Sequence, residues 1–323
     1  MIFTRWKKQG GWIRCCGKDE VTGSSEHTGK NGEGTMQAPR LSVACVQLRS
    51  GTDINANLRT VREFAREARA KGAQYILTPE NTAIMEEDKE RLRHLVGRMR
   101  DDAAVRYFSD LARELEMFLH IGSLALKPEA GAPDDKRLVN RSILFGPDGK
   151  ALAWYDKIHL FDVDVPGAHY RESDYIRPGE KAVMALTGGF RLGFSICYDV
   201  RFPALYRTLA LAGAQVFTIP AAFTVPTGKA HWHVLTRARA IENGAYVLAA
   251  AQGGLHASGR MTYGHSLIIS PWGEILAEAG EEPALLHATL DAAQVARVRR
   301  QIPVLEHERP FSKPAAPRVL RSV

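Results

Sequence analysis

One cysteine stands where a nucleophile could work. Cys197 ends the apolar run in Gly193-Phe-Ser-Ile-Cys-Tyr-Asp-Val-Arg-Phe-Pro203, and a polar, turn-like stretch follows before a helix start near Pro203. A nucleophile on a strand-to-helix turn is exposed at the sheet edge, and the next backbone N–H, that of Tyr198, is free to bind an oxyanion. The competing reading is a packed core thiol, since free cysteine is among the most buried residue types. Cys45, in mid-strand without charged neighbours, fits that reading better.

Two ionisable residues end other strands. Glu80 directly follows Tyr75-Ile-Leu-Thr-Pro79. A carboxylate there sits at the strand end where α/β sheets place their sites, and burial would raise its pKa toward that of a general base. Lys157 lies in Trp154-Tyr-Asp-Lys-Ile-His-Leu-Phe-Asp-Val-Asp164, whose aromatics imply partial burial. A buried lysine needs a carboxylate partner, stays charged beside it, and can steady a developing oxyanion. A solvated loop acid and a surface lysine are the plain alternatives. His159 is read as structural. Asp162, Asp164, Glu172 and Asp174 crowd one stretch without metal-ligand spacing, so no metal is expected. A Cys–His pair would draw on His231, His233, His256 or His265, none with a local signature; His231 and His265 adjoin turn glycines and aromatics and are candidates for a pocket wall.

The elements that must position these residues alternate between helix and strand. Leu41 opens a strand through residue 48; Asp53 suits the N-cap of a helix to about Lys71, with Gly72 at its C′ position. Strands are expected over residues 74–78, 118–125, 191–196, 216–219 and 246–251, and helices over 102–117, 203–212 and 229–243. Residues 138–145 and 151–157 flank Gly146-Pro-Asp-Gly149, a hairpin signal, and turns recur at Thr187-Gly-Gly189 and Pro271-Trp-Gly273. Alternation mixed with hairpins predicts an α/β domain with a mixed sheet. Residues 1–39 are glycine-rich and aperiodic, and include the Cys15–Cys16 pair; they read as a disordered extension without a secretory apolar core, or as an upstream start with Met36 opening the domain. One domain is expected over residues 40–310, with a tail at 311–323.

Composition excludes several classes. Of 323 residues, 45% are hydrophobic and 24% charged, which is ordinary for a globular chain. No apolar run reaches the length of a membrane span, so no membrane partner is expected. The formal charge of +7 is dispersed, without basic runs or interleaved aromatics; it suits anionic small substrates better than nucleic acid. Four scattered cysteines indicate a reducing, cytoplasmic setting rather than a disulfide framework.

Taken together, Pro79-Glu80-Asn81, Tyr155-Asp-Lys157-Ile-His-Leu-Phe-Asp162 and Ser195-Ile-Cys197-Tyr-Asp-Val-Arg201-Phe-Pro203 resemble the nitrilase superfamily of carbon–nitrogen hydrolases, in order and separation, from about Leu41 to Pro310. Residues 227–232, 237–242, 263–266 and 271–273 resemble its deaminated-glutathione amidase and omega-amidase branches. The resemblance implies a four-layer α-β-β-α sandwich with mixed sheets, pairing of subunits into a homodimer or larger homo-oligomer, and no cofactor. It implies a Glu80–Lys157–Cys197 triad, support from Glu172, and hydrolysis of a small carboxylated amide through a thioester with release of ammonia. A nitrile or N-carbamoyl substrate, or an inert binding protein, are the alternatives. Arg201 is a candidate for the substrate carboxylate and equally for pairing with Asp199. His233 stands where many members carry glutamate, and residues 167–170 also depart from relatives with known substrates.

Overall fold

The computed structural model describes residues 38–129, 135–165 and 168–314. Cys15, Cys16, Gly167 and most of the two terminal stretches lie outside these residues.

In chain order the elements are β1 (Arg40–Gln47), α1 (Ile54–Ala70), β2 (Tyr75–Leu77), α2 (Lys89–Leu95), α3 (Ala103–Leu115), β3 (Phe118–Leu126), β4 (Val139–Phe145), β5 (Ala151–Asp156), β6 (Asp162–Val165) and β7 (Ala168–Arg171). They continue with β8 (Met184–Thr187), β9 (Phe190–Phe194), a 3₁₀ turn (Cys197–Arg201), α4 (Pro203–Leu211), β10 (Val216–Thr218), α5 (Val225–Ile241) and β11 (Tyr246–Ala249). β12 (Gly253–Leu255), β13 (Met261–Tyr263), β14 (Leu267–Ile269), β15 (Ile275–Glu278), β16 (Ala284–Asp291) and α6 (Ala292–Gln301) complete the fold. The expected caps form. Asp53 accepts from the Ala56 N–H at 3.1 Å, Gly72 takes φ +83°, and Asp102 accepts from Ala104 and Val105 at 2.9 and 3.1 Å. α5 starts four residues earlier than expected, because Thr224 takes extended N-cap dihedrals and Pro226 fits the first turn.

Two six-stranded mixed sheets form, in the orders β16-β1-β2-β3-β4-β5 and β15-β14-β11-β10-β9-β8. In each, three parallel strands form the middle and antiparallel strands the flanks. Side-chain alternation in β1 shows the layering. Leu41, Val43 and Cys45 join the cluster that contains Phe190, Leu192 and Phe194 of the second sheet; Ala44 and Val46 join Leu58, Val61 and Ala65 of α1 and Phe108 and Leu111 of α3. Across the second sheet Gly193 faces α4, where an added Cβ would lie 3.1 Å from Leu209. The result is the α-β-β-α sandwich. One polar cluster lies between the sheets: His120 bonds Tyr75 at 2.6 Å and Ser142 at 2.7 Å and packs on Phe194, and burial pushes its imidazole down to about 3, so it is neutral.

Candidate active site

Three strand ends deliver three side chains to one point. Glu80 leaves β2, Lys157 leaves β5, and Cys197 leaves β9 in the other sheet, so the sandwich must assemble before the three meet. Lys157 Nζ lies 2.9 Å from Glu80 Oε1 and 3.0 and 2.9 Å from the two oxygens of Glu172. The Cys197 thiol lies beside Glu80, whose charge acts on it. Glu80 also accepts from Asn140 Nδ2 at 2.9 Å and from the Ala222 N–H at 3.0 Å. Glu172 accepts from the Phe161 N–H at 2.7 Å. All four of Glu80, Lys157, Glu172 and Cys197 are buried.

The backbone is built around this point. Cys197 has φ +49°, a left-handed conformation for a residue with a Cβ, held by its N–H on Pro220 O at 2.8 Å. Asp199 ties the turn down: it accepts from the Ile196 N–H at 2.8 Å, Tyr155 Oη at 2.7 Å, the His159 N–H at 3.0 Å and His159 Nδ1 at 2.7 Å. His159 is thus structural, as expected, and lies flat on Phe202 at 3.6 Å. Tyr198, near the start of the turn, has an N–H without an intrahelical acceptor. Gly122 in β3 is required on steric grounds, since a Cβ there would fall 2.0 Å from Thr78 O and 2.6 Å from Pro79 O, the residues that lead into Glu80.

Electrostatics set the proton inventory. Burial pushes Lys157 down, but Glu172 and Glu80 outweigh it and hold the ammonium well above its usual range. Burial pushes the Glu80 carboxyl up, yet the Lys157 charge, the neighbouring Cys197 thiol and the hydrogen bond from Lys157 bring it below the usual carboxylate range. This corrects the expectation of a raised value: the ion pair outweighs desolvation. Burial and the adjacent Glu80 charge push the Cys197 thiol well up. The resting state is therefore thiol, carboxylate and ammonium, with the base ionised and waiting.

These residues line a cavity of about 870 Å³, within the usual size range for small-molecule sites. Its wall includes Tyr198, Phe223, Thr227, Arg93 and Arg260, together with His169 and Tyr170 of the 167–170 loop. Arg201 and His231 are not on that wall. They bond each other at 3.2 Å, and the Arg201 guanidinium lies over the rings of Tyr198 at 5.8 Å and Phe223 at 5.5 Å. Arg201 therefore does not take up Asp199, whose oxygens serve the turn. Of the other histidines, His256 bonds Ser50 O and Thr262, while His233 and His265 share Glu278. None of the four histidines considered as a partner for Cys197 lines its cavity. Nor do the crowded acids converge: Asp162 accepts from the Ser173 N–H, Asp164 pairs with Arg171 and His169, and Glu172 takes Lys157. Cys45 is a core thiol in β1, as read.

Two contributors escaped the sequence. Asn140 bridges toward both carboxylates, at 2.9 Å to Glu80 and 3.4 Å to Glu172, and its Oδ1 is buried without a partner among the described residues. Asn140 opens the polar stretch Asn140-Arg141-Ser142 inside a buried strand, which was the available signal. Arg260 donates to Ala222 O at 3.0 Å, and its Nε is buried without a partner among the described residues. Arg260 pairs with Glu87 at 3.7 Å and adds a positive charge that favours the ionised form of Glu80. Nothing local in the sequence distinguishes it from other loop arginines.

A buried thiol beside an ionised carboxylate, with a fixed ammonium and a free backbone N–H at hand, equips an α-β-β-α sandwich for acyl transfer. The chain belongs to the carbon–nitrogen hydrolase family, whose description "Carbon-nitrogen hydrolase" matches residues 42–300. It is 37% identical over 280 residues to a deaminated glutathione amidase of Yersinia enterocolitica, covering 86% of this chain and 96% of that one. It is also similar to the C. elegans NitFhit protein, with TM-score 0.78 and 35% identity, over 85% of this chain and 66% of that longer chain. A third similarity is to an amidase from Nesterenkonia sp. AN1, solved with the acetamide moiety of fluoroacetamide added covalently at its active-site cysteine; TM-score is 0.68 and identity 28%, over 81% of this chain and 95% of that one.

Proposed function

We propose that this chain is a cysteine-dependent amidase that hydrolyses a small carboxylated amide through a thioester, in the manner of deaminated-glutathione amidases or omega-amidases. The observation that carries the reading is the Glu80 carboxylate, bonded to Lys157 Nζ and set beside the Cys197 thiol on the wall of one cavity. Glu80 takes the thiol proton as sulfur attacks the amide carbonyl carbon. Lys157 and the Tyr198 N–H steady the oxyanion. The tetrahedral adduct collapses, its C–N bond breaks, and Glu80 returns the proton to the leaving nitrogen, so ammonia departs. Water, deprotonated by the same carboxylate, then attacks the thioester, and acid and free thiol are released. Glu172 holds Lys157 charged and in place.

Arg260, on the cavity wall, is the candidate for the substrate carboxylate, which arginine can grip bidentately. Arg260 also donates to Ala222 O, whereas Arg201 lies off the cavity wall, over the Phe223 ring. Arg260→Gln is expected to raise KM for a carboxylated amide about 10- to 100-fold, for the loss of a charged hydrogen bond of roughly 1.5–3 kcal/mol, and to raise KM for a neutral amide far less.

We also propose a reducing, cytoplasmic setting and a homo-oligomer. Cys45 and Cys197 are both unpaired, and no helix among the described residues is long and apolar enough to cross a membrane. Val234 and Ile241 present an exposed apolar stripe on α5.

The test is ammonia release from deaminated glutathione, α-ketoglutaramate, a nitrile and an N-carbamoyl amino acid, with wild type beside Cys197→Ala. Turnover of an amide, abolished in the variant, supports the reading. Turnover of only the nitrile, or carbon dioxide released with ammonia from the carbamoyl compound, moves the substrate class. Full turnover by Cys197→Ala overturns the thioester. No turnover, with Cys197 inert to a thiol probe, moves the reading to a binding protein.

A further inference from the structure

We propose that His233, His265 and Glu278 form a binding site for one divalent transition cation of the zinc type. Neither the thiol site nor its cavity includes any of the three. His233 Nε2 lies 2.8 Å from Glu278 Oε1, and His265 Nδ1 lies 3.3 Å from the same oxygen. The three ligand atoms fall within 4.8 Å of one another, the one such group of His, Cys, Asp or Glu among the described residues. A tetrahedral ion with bonds of about 2.0–2.1 Å spaces its ligands by roughly 3.3 Å, so small side-chain shifts admit it.

The ligands are held before any ion arrives. They come from α5, from the turn before β14 and from β15, three elements fixed by the fold. His265 has φ +53°; its N–H donates to Gly280 O at 2.8 Å, and its carbonyl accepts from Trp232 Nε1 at 2.7 Å. Tyr263 stacks on the His265 ring at 4.3 Å and meets His233 edge-on at 6.2 Å. Two imidazoles and one carboxylate suit zinc, cobalt, nickel or copper and not the hard calcium or magnesium ions, which take oxygen ligands. The side chains are 24–38% exposed, enough for the ion to enter and keep a water in its open position. A bound ion would clip α5 to β15.

The experiment uses the full chain, stripped with chelator, and follows cobalt(II) absorption, with zinc(II) as competitor. Expected is a d–d band that saturates at one equivalent, carries no thiolate charge-transfer band, persists in Cys197→Ala and is displaced by zinc. His233→Gln and Glu278→Gln, each checked by circular dichroism to be folded without metal, are expected to weaken cobalt binding more than ~100-fold, since even an outer partner of a ligand is worth 10–100-fold. Zinc should raise the melting temperature of wild type and of neither variant. Absence of a saturable band up to about 0.1 mM cobalt, where a millimolar-class site would begin to fill, overturns the proposal. So does a thiolate band, or unchanged affinity in whichever of the two variants folds.

Discussion

At the scale of single residues, the balance of charge around Cys197 decides what can be measured. Glu80 is held below the ordinary carboxylate range, so the base is ionised throughout the neutral region and well into acid. The expected acid limb of kcat/KM therefore lies below about pH 4.5, with a flat profile from neutrality down to about 5. Arg260→Gln removes a positive charge that favours the ionised form of Glu80, so the limb should move to higher pH. A limb that stays in place would show that Arg260 does not favour that form. Lys157→Met leaves two buried carboxylates facing each other without a cation. One of them must take up a proton. Removing one partner of a buried pair costs roughly 3–5 kcal/mol, which urea melts should register together with lost turnover.

At the scale of elements, the site depends on close backbone approaches. Gly122 lets β3 pass against the Thr78–Pro79 carbonyls that lead into Glu80. Gly122→Ala must push that segment away, and turnover should fall even where the chain still folds; wild-type turnover in a folded variant would contradict the steric argument. Asp199 serves two N–H groups, a phenol and an imidazole at the elbow. In Asp199→Ala several buried donors lose their acceptor, at about 1–3 kcal/mol each, and thermal denaturation should show a large loss of stability. The two substitutions act from different sheets, so their effects meet only at the site.

At the scale of the molecule, stability should depend on pH at both ends. Glu80 is held below its unfolded value, so its contribution is full above that value, about 4.3, and is lost as pH falls through the folded one. Lys157 is held above its unfolded value, so its contribution is full below about 10.4 and is lost as pH rises through the folded one. Buried His120, neutral down to about 3, loses stability as pH falls below about 6.5, and the raised Cys197 thiol loses it as pH rises above about 8.5, so the plateau in melting temperature should lie between about 6.5 and 8.5. The exposed α5 stripe makes a second expectation. Val234→Glu with Ile241→Glu should shift the sedimentation coefficient toward monomer; an unchanged value would remove that face from the proposed assembly.

Chain-local physics determined much of this protein. Apolar runs ending at Glu80 and Cys197 marked strand ends, Asp53 and Asp102 marked helix starts, and Gly146 to Gly149 marked a hairpin, because caps, turns and strand burial are set within a few residues. The tertiary structure alone decided the rest. That Glu80 ends below its usual range follows from Lys157, 77 residues away in sequence. That Arg260 and Asn140 belong beside it, and that His233, His265 and Glu278 converge, depends on elements far apart in the chain meeting in space. Such meetings leave no spacing in the chain, since pairwise electrostatics and ligand geometry act across distance in the fold and not along the sequence.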